Sequence, residues 1–388
     1  MAMKAQYTFF YTTKIVSGPE ALDLIGDELK ISGVKKTLIV TDKVMAGSET
    51  MAKAKASLAG AGNDFAVFEE VEPDPSVATV EAAAELLRLS ACDSVMGLGG
   101  GSALDAAKGA AILGANDGPI SQYEGANKIP NPPCPIFAVP TTAGTGSEVS
   151  QSSILADGPV KRSIRSTMAA PRIAFLDPLA VSTVPAAVAV SSGLDALAHN
   201  IESYLSLWAS PVSECLSKHG IKLAAENLRP YMANPRNQEA AGNMQLSALL
   251  GAAAFANSRV GLPHALGMAL GGLLHLPHGL ACGLALAPCM EYSWIGNPGK
   301  YRTIAELMGV NTRGLTEKGA ANAAVKAVVE LIHSLDTVIA LRAHGVKDEH
   351  LGPLAEEMIR AGLQLTDPRQ STLDDARAII GRAMNYDL

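Results

Sequence analysis

The order of strand and helix signals along the chain limits its fold most strongly. Short apolar, β-branched segments alternate with helical patterns through the first half of the 388 residues. The strand signals lie at residues 37–42, 64–71, 94–101, 135–142 and 173–178, and the helical patterns between them lie at about 50–60, 77–90 and 103–113. Such alternation predicts a parallel sheet with helices on both faces.

After Pro185 the strand signals stop. Long Ala/Leu-rich segments are predicted as helices at about 186–207, 211–232, 238–257, 319–343 and 371–386. The chain is too long for one ordinary core, so we expect two domains. These are an α/β dinucleotide-binding domain over residues 1–184 and an all-helical domain over residues 185–388. Thr183 is the expected cap of the first helix of the second domain, with Pro185 early in that helix.

Composition excludes several classes of protein. Hydrophobic residues make up 48% of the chain, so a large core can form, and the net charge of −7 without basic runs argues against nucleic-acid binding. The most apolar region, about 252–290, is broken by His, Gly and Pro, which favours buried helices over a membrane span. Five cysteines without a CxxC pair predict reduced thiols and a cytoplasmic location. Residues 1–13 lack the features of a signal peptide.

Two polar, glycine-containing segments follow predicted strands. The first, GLGGGSALDAAK at 97–108, opens a helix, where glycines let a phosphate approach the backbone closely. The second, PTTAGTGSE at 140–148, carries hydroxyl groups that can donate to phosphate or ribose. Two such loops at strand ends are the expected arrangement for a nucleotide in an α/β sheet. A plain glycine turn and a polar surface loop are the alternatives.

Asp42 ends the first of these predicted strands. A carboxylate at this position can accept hydrogen bonds from ribose hydroxyls and would repel a 2′-phosphate, which favours NAD over NADP. Its alternative role is that of a turn or helix cap before Lys43.

Four side chains in the second half form a plausible set of metal ligands. Asp195 and His199 stand at i,i+4 spacing on one helix face, whereas His264 and His278 are fourteen positions apart. On one straight helix the latter two would lie about 21 Å apart, so the chain must turn between them. Three imidazoles and one carboxylate suit a divalent transition metal with a position left for a substrate oxygen. His275 is a competing ligand, and a hydrogen-bonded core histidine is the alternative for each imidazole.

Taken together, these motifs resemble the iron-containing (group III) alcohol dehydrogenases. The resemblance spans nearly the whole chain and rests on Asp42, EPDP at 72–75, GGGSALDAAK at 99–108, PTTAGTGSE at 140–148, LDP at 176–178, GLDALAHNIE at 193–202 and the segment from His264 to His278. It implies a dehydroquinate synthase-like architecture, with a dinucleotide-binding domain, a helical metal domain and a cleft between them. It also implies oxidation of primary alcohols or reduction of aldehydes with NAD(H) or NADP(H), and a homodimer or larger homo-oligomer.

The resemblance assigns roles by position. Asp195, His199, His264 and His278 match the ligands of the catalytic metal, expected to be Fe²⁺ with Zn²⁺ or Mn²⁺ as alternatives. The positions that match cofactor contacts are Asp42, Gly99, Gly100, Gly101, Ser102, Asp105, Thr141, Thr142, Thr145, Ser147, Lys161 and Leu179. Ser152, Ile154 and Phe255 are candidates for the substrate pocket because they lie close to matched motifs.

The chain departs from the family pattern at two positions. Met268 stands where many members have a second histidine near the nicotinamide, so a proton relay through that position is in doubt. Arg259, five residues before His264, stands where many members have a small residue. A guanidinium there would suit an anionic group on the substrate, and a structural ion pair is its alternative role.

The sequence therefore predicts an NAD-dependent oxidoreductase in which a metal polarises the oxygen of a small alcohol or aldehyde during hydride transfer. One alternative is a metal-independent reductase of the maleylacetate type. A second, from a different class, is a catalytically silent nucleotide-binding protein.

Overall fold

The computed structural model describes residues 6–158 and 160–387, which form two compact units. The α/β unit comprises Tyr11–Thr142 and Gly146–Val184. The helical unit comprises the described residues up to Phe10, the short segment Ala143–Thr145, and the chain from Pro185 onward.

A six-stranded, fully parallel sheet forms the centre of the α/β unit. The strands are β1 Lys14–Ser17, β2 Lys36–Val40, β3 Asp64–Phe68, β4 Ser94–Gly99, β6 Ile136–Pro140 and β9 Ile173–Leu176. Their order across the sheet is β1-β9-β6-β4-β2-β3. The predicted parallel sheet is confirmed, and β1 is an edge strand that the sequence analysis missed.

Helices cover both faces of this sheet because successive strand residues point to opposite sides. In β2, Leu38 and Val40 belong to one apolar cluster, while Ile39 belongs to the other. The helices of the unit are α1 Ile25–Ile31, α2 Lys43–Ala46, α3 Glu49–Ala61, α4 Val77–Leu89 and α5 Gly101–Ala115.

A second, three-stranded sheet in the α/β unit was not predicted. It consists of β5 Gly125–Ala126, β7 Ser152–Asp157 and β8 Val160–Arg165, in the order β5-β8-β7. Strands β7 and β8 pair antiparallel. Both are polar and partly exposed, so they lack the continuous apolar run that marks the strands of the main sheet.

Long helices make up most of the helical unit, as predicted. They are α6 Ala186–Leu205, α7 Pro211–Ala233, α8 Gln238–Ser258, α9 Leu262–Leu274, α10 His278–Ser293, α11 Pro298–Leu307, α12 Glu317–His333, α13 Leu351–Arg360 and α14 Leu373–Met384. None of the helices in the described part of the chain has the length and hydropathy that a membrane crossing requires.

Two local predictions were wrong. Thr183 does not cap α6, because the cap position is Pro185 and the helix begins at Ala186. The helix predicted over 319–343 ends at His333. The chain then turns through Asp336, which has a positive φ of 53°. The apolar pattern of the sequence continues beyond this turn, and for that reason it predicted too long a helix.

The amino-terminal segment pairs with α8 through its backbone. Asn257 accepts a hydrogen bond from the Phe10 amide at 2.7 Å and donates one to the Phe10 carbonyl at 3.1 Å. The segment predicted not to be a signal peptide begins with residues 1–5, which lie outside the described part of the chain.

Candidate metal centre and phosphate-binding loops

Helix α6 presents three polar side chains on one buried face. Asp195, His199 and Glu202 follow i, i+4, i+7 spacing, which places them in a single stripe. All three are buried, at 2%, 5% and 5% exposure, so they need partners inside the protein. The i,i+4 pair predicted from the sequence is therefore part of a longer polar stripe.

The turn between α9 and α10 brings the two distant histidines together. His264 lies in the first turn of α9, and His278 is the first residue of α10. Between them His275 adopts a left-handed conformation, with φ 57°, and Pro277 precedes α10. The His264 ring lies 5.4 Å from the His278 ring and stacks at 4.5 Å on that of His199. The predicted turn is confirmed.

One carboxylate oxygen lies at the centre of the three imidazoles. Asp195 Oδ1 is 3.5 Å from Nε2 of His264 and 3.9 Å from Nε2 of both His199 and His278. Donors bonded to one tetrahedral ion at about 2.0–2.3 Å stand about 3.3–3.8 Å apart. Within residues 6–158 and 160–387, Asp195 Oδ1 and His264 Nε2 have no hydrogen-bond partner. Buried polar atoms are rarely left unpaired, so these residues fit a metal ion.

Burial and mutual charge shift the protonation of this cluster. Burial disfavours the Asp195 carboxylate, but His199, His264 and His278 outweigh it and hold the pKa of Asp195 well below its usual range. Burial also lowers the pKa of His199 to about 4, which keeps that ring neutral. The negative charge of the neighbouring Cys282 thiolate, followed by that of Asp195, raises the pKa of His278 to about 9, and the His278 side chain is itself 45% exposed. An entering ion would therefore displace a proton from His278.

Glu202 fixes the orientation of His264. Its Oε1 lies 2.5 Å from His264 Nδ1, and its Oε2 accepts from the amides of Gly261 and His264. With Nδ1 protonated towards the carboxylate, Nε2 presents its lone pair to the other donors. Glu202 ends the motif GLDALAHNIE, but no role was predicted for it from the sequence. Its spacing from Asp195 and His199 was the available signal.

Cys282 was also missed. Donor atoms of Asp195, His264, His278 and Cys282 all lie within 4.8 Å of one another. A lone cysteine on an apolar helix looks like core in the sequence.

Of the other candidates in the helical unit, Phe255 lies at the cluster, with its ring stacked 4.4 Å from that of His199. His275 is exposed and ends α9, outside the donor group that contains His264. Met268 is half-exposed on α9. Arg259 ends α8 with a positive φ of 64°, and its guanidinium lies 4.6 Å above the ring of Trp208.

In the α/β unit, neighbouring strands bring several predicted cofactor residues together. The Thr141 amide donates to the Gly99 carbonyl at 2.9 Å. A Cβ on Gly100 would lie 3.4 Å from Thr142, and one on Gly99 would lie 3.9 Å from Asp42 Oδ2. These residues follow β2, β4 and β6, which are adjacent, so they share the carboxyl edge of the sheet.

Glycine is required at position 99 for two reasons. Its φ is 156°, which side chains rarely adopt, and a Cβ there would lie 2.6 Å from Ala103. Gly101 and Ser102 then open α5, whose first amides lack partners within the helix. Asp42 takes its alternative role: its Oδ1 accepts from two amides at the start of α2.

Asp105 and Ser147 belong to a buried network centred on Lys108. Ser147 donates to Asp105 at 2.6 Å, and the Lys108 ammonium donates to Ser147 at 2.7 Å and to Ser150 at 3.0 Å. The Ile154 amide donates to the other Asp105 oxygen. The network ties the second polar loop to α5. Lys108 ends the motif GLGGGSALDAAK, but no role was predicted for it from the sequence.

The remaining predicted residues are more dispersed. Lys161 forms an ion pair with Asp74, whose amide donates to Ser102. Leu179 packs against one apolar cluster of the main sheet, and Ser152 lies on β7. Thr145 lies in the segment that groups with the helical unit.

Family models match both parts of the chain. Residues 12–178 match a model described as iron-containing alcohol dehydrogenase. Residues 189–384 match one described as Fe-containing alcohol dehydrogenase family, C-terminal.

Individual proteins are similar over almost the full length. A 1,3-propanediol dehydrogenase of Klebsiella pneumoniae is 37% identical over 370 residues, which cover 94% of this chain and 96% of that protein. The crystal structure of a 1,3-propanediol oxidoreductase matches with a TM-score of 0.95 at 35% identity, covering 97% of this chain and 100% of that one. A sulfoacetaldehyde reductase from Bifidobacterium kashiwanohense, solved in complex with NAD⁺, matches with a TM-score of 0.90 at 28% identity, covering 98% and 100%.

Proposed function

The chain belongs to the iron-containing alcohol dehydrogenase family, and from that premise we propose that it uses NAD(H) and one divalent ion to interconvert a primary alcohol and an aldehyde. Membership makes the protein an alcohol/aldehyde oxidoreductase. The ion, the cofactor form and the residues that hold them are the proposal.

One observation carries the metal part of the proposal. Asp195 Oδ1 and His264 Nε2, which lie 3.5 Å apart, are buried and without hydrogen-bond partners in the described chain, and both are atoms that commonly bind metals. The three Nε2 atoms surround one oxygen of Asp195 at 3.5–3.9 Å. We propose Asp195, His199, His264 and His278 as the ligands of Fe²⁺, with Zn²⁺ or Mn²⁺ as alternatives.

Bound there, the ion would supply a Lewis acid for the substrate oxygen, and a nicotinamide would supply or accept the hydride. The protein's own contribution is preorganisation. Asp195 provides the negative charge that neutralises part of the ion's charge. Glu202 holds the ring of His264 in one tautomer, and Phe255 packs on His199 and restricts its rotation.

We propose that the α/β unit binds the dinucleotide at the carboxyl edge of its sheet. The amides at the start of α5 and the hydroxyls of Thr141 and Thr142 would receive the pyrophosphate. Asp42 Oδ1 carries the capping bonds of α2, so Oδ2 is the oxygen proposed for the ribose. The division of function at residues 184/185, a cytoplasmic location and a homo-oligomeric state remain part of the proposal.

Two alternative functions are separable from this one. A reductase of the maleylacetate type would not need the metal, and a silent nucleotide-binding protein would bind NADH without turnover. Arg259 is the residue that would favour an anionic substrate, and its guanidinium already lies over Trp208.

The deciding experiment measures NADH oxidation with neutral and acidic aldehydes, using chelator-stripped protein with and without Fe²⁺. We expect activity only with the ion and none in Asp195→Ala, which should still bind NADH. Glu202→Gln should weaken metal binding about 10–100-fold, whereas Glu226→Gln, an exposed carboxylate on α7, should not change it.

Full activity without metal would overturn the proposed mechanism in favour of the maleylacetate type. NADH binding without turnover of any aldehyde would favour the silent protein. If Arg259→Ala raises KM for acidic and neutral aldehydes equally, an anion-binding role for Arg259 is excluded.

A further inference from the structure

We propose that the thiolate of Cys282 is an additional ligand of the metal ion. The inference rests on the proposed metal centre and names a donor that the four-residue set does not contain. It makes this a centre with one carboxylate, imidazoles and one soft sulfur ligand.

The position of the sulfur carries the proposal. Cys282 lies one helical turn after His278 on α10, so both side chains project from the same face. Its Sγ is 3.8 Å from His278 Nε2. A thiolate at about 2.3 Å and an imidazole at about 2.0–2.1 Å from one tetrahedral ion would be about 3.6 Å apart. Cys282 also lies within 4.8 Å of the donor atoms of Asp195 and His264.

The surroundings of Cys282 differ from those of an ordinary core thiol. The residue is fully buried, yet its sulfur faces imidazoles and a carboxylate. Gly267 on α9 leaves room for it, since a Cβ at that position would lie 2.5 Å from Sγ. Cys289, also buried on α10, instead lines a small cavity with Glu202, Asp367 and apolar residues, and it lies outside the donor group that contains Cys282. It is the matched control for a buried thiol on the same helix.

A sulfur ligand has two chemical consequences. Added to Asp195, His199, His264 and His278, it would offer the ion a fifth protein donor, and it stands in the same 4.8 Å donor group as Asp195, His264 and His278. Thiolate also favours softer ions, so Cys282 should raise affinity for Zn²⁺ or Co²⁺ more than for Mn²⁺, which prefers oxygen ligands.

Absorption spectroscopy of the full chain, stripped with chelator and titrated with Co²⁺, tests the proposal. We expect a thiolate-to-cobalt charge-transfer band in the near ultraviolet that saturates at one ion per chain. Cys282→Ser should lose this band while keeping the visible d–d bands, and Cys289→Ser should retain both. In competition with a chromophoric chelator, Cys282→Ser should weaken Zn²⁺ binding at least about tenfold. A loss of about that size is typical when a residue that only hydrogen-bonds to a metal ligand is changed, so the loss of a ligand should cost at least as much.

The outcomes separate the two proposals. Visible bands without a charge-transfer band in the wild type, or a band that persists in Cys282→Ser, would overturn the role of Cys282 and keep the metal centre. No Co²⁺ binding at all would overturn both.

A second experiment, which needs no variant, measures the alkylation of Cys282 by mass spectrometry. Zn²⁺ should slow it at Cys282 but not at Cys289, and equal rates with and without Zn²⁺ would contradict the proposal.

Discussion

At the scale of single residues, two buried carboxylates of the helical unit, Glu202 and Asp367, have different surroundings. Glu202 is buried against the amides of Gly261 and His264 and against a histidine ring. Asp367 is buried nearby, where it accepts from Ser293 at 2.5 Å. Burial raises the pKa of Asp367 to about 6, because the charged form loses hydration that its hydrogen bonds do not replace.

We predict that Asp367→Asn is more stabilising at pH 8 than at pH 5. The folded-state pKa of about 6 lies above the ordinary value of 3.8. The carboxyl's contribution to stability is therefore complete below pH 3.8 and is lost as pH rises through 6. Relative to wild type, the variant should gain about 1–2 kcal/mol between pH 5 and pH 8. Chemical denaturation of chelator-treated proteins at both pH values measures this difference.

Asp375 is the control, because its pKa is shifted in the opposite direction to that of Asp367. The hydroxyl and amide of Thr372 hydrogen-bond to it and lower its pKa, so its stabilising contribution is lost as pH falls. Asp375→Asn should cost stability at pH 8, and the cost should shrink in acid. An effect of Asp367→Asn that is independent of pH would show that its carboxyl does not titrate in this range.

Part of the proposed donor set could be predicted from residue spacing. The i,i+4 pair Asp195 and His199 follows helix geometry, whereas His264 and His278 required a turn between them and the support of the family motifs around them. Cys282 could not be found in this way, because an unpaired cysteine on an apolar helix is ordinary core until the fold shows which atoms it faces. Asp42 illustrates the reverse case, in which a predicted binding residue also caps a helix.

At the scale of elements, the packing of α9 against α10 sets the positions of His264, His278 and Cys282. The two helices approach closely where Gly267 faces Cys282. The polar strands β7 and β8 and the end of α12 escaped prediction because tertiary contacts, rather than an apolar period, define them.

We predict that Gly267→Ala destabilises the helical unit by about 1–3 kcal/mol, because the added methyl group overpacks the interface. It would lie 2.5 Å from Cys282 Sγ and 3.0 Å from the Cys282 amide nitrogen, so the backbone of α10 must move. The variant should also bind the metal more weakly. Thermal unfolding and metal titration measure the two effects.

Gly272→Ala on the same helix is the control. A Cβ there meets no atom of the described chain within 4 Å, and alanine favours helix by up to about 1 kcal/mol. If both alanines change the melting temperature equally, the contact between Gly267 and Cys282 is not what limits this position.

At the scale of the whole molecule, the proposed ligands all belong to one of the two units. Asp195 and His278 are separated by more than eighty residues, so the donor set is assembled only when the helical unit is folded. An ion that binds only the folded chain at one hundred times Kd stabilises it by about 2.7 kcal/mol.

We predict that the stripped protein melts about 5–10 °C below the same protein in a metal concentration near one hundred times Kd. Hydrogen exchange should locate the effect. Amides of α6, α9 and the first turns of α10 should exchange faster in the stripped protein, while those of β4 and β6 should not change. Equal acceleration in β4 and β6 would mean that the ion does not act through the helical unit.

The turn between α9 and α10 has a consequence for how such a chain can evolve. Only His275, Leu276 and Pro277 separate the end of one helix from His278. One added or lost residue would shift α10 by about 3.5 Å, more than the length of a metal–ligand bond. Point substitutions at these three positions leave the spacing intact, whereas insertions and deletions do not. During evolution, the number of residues in this turn must therefore be preserved more strictly than their identity.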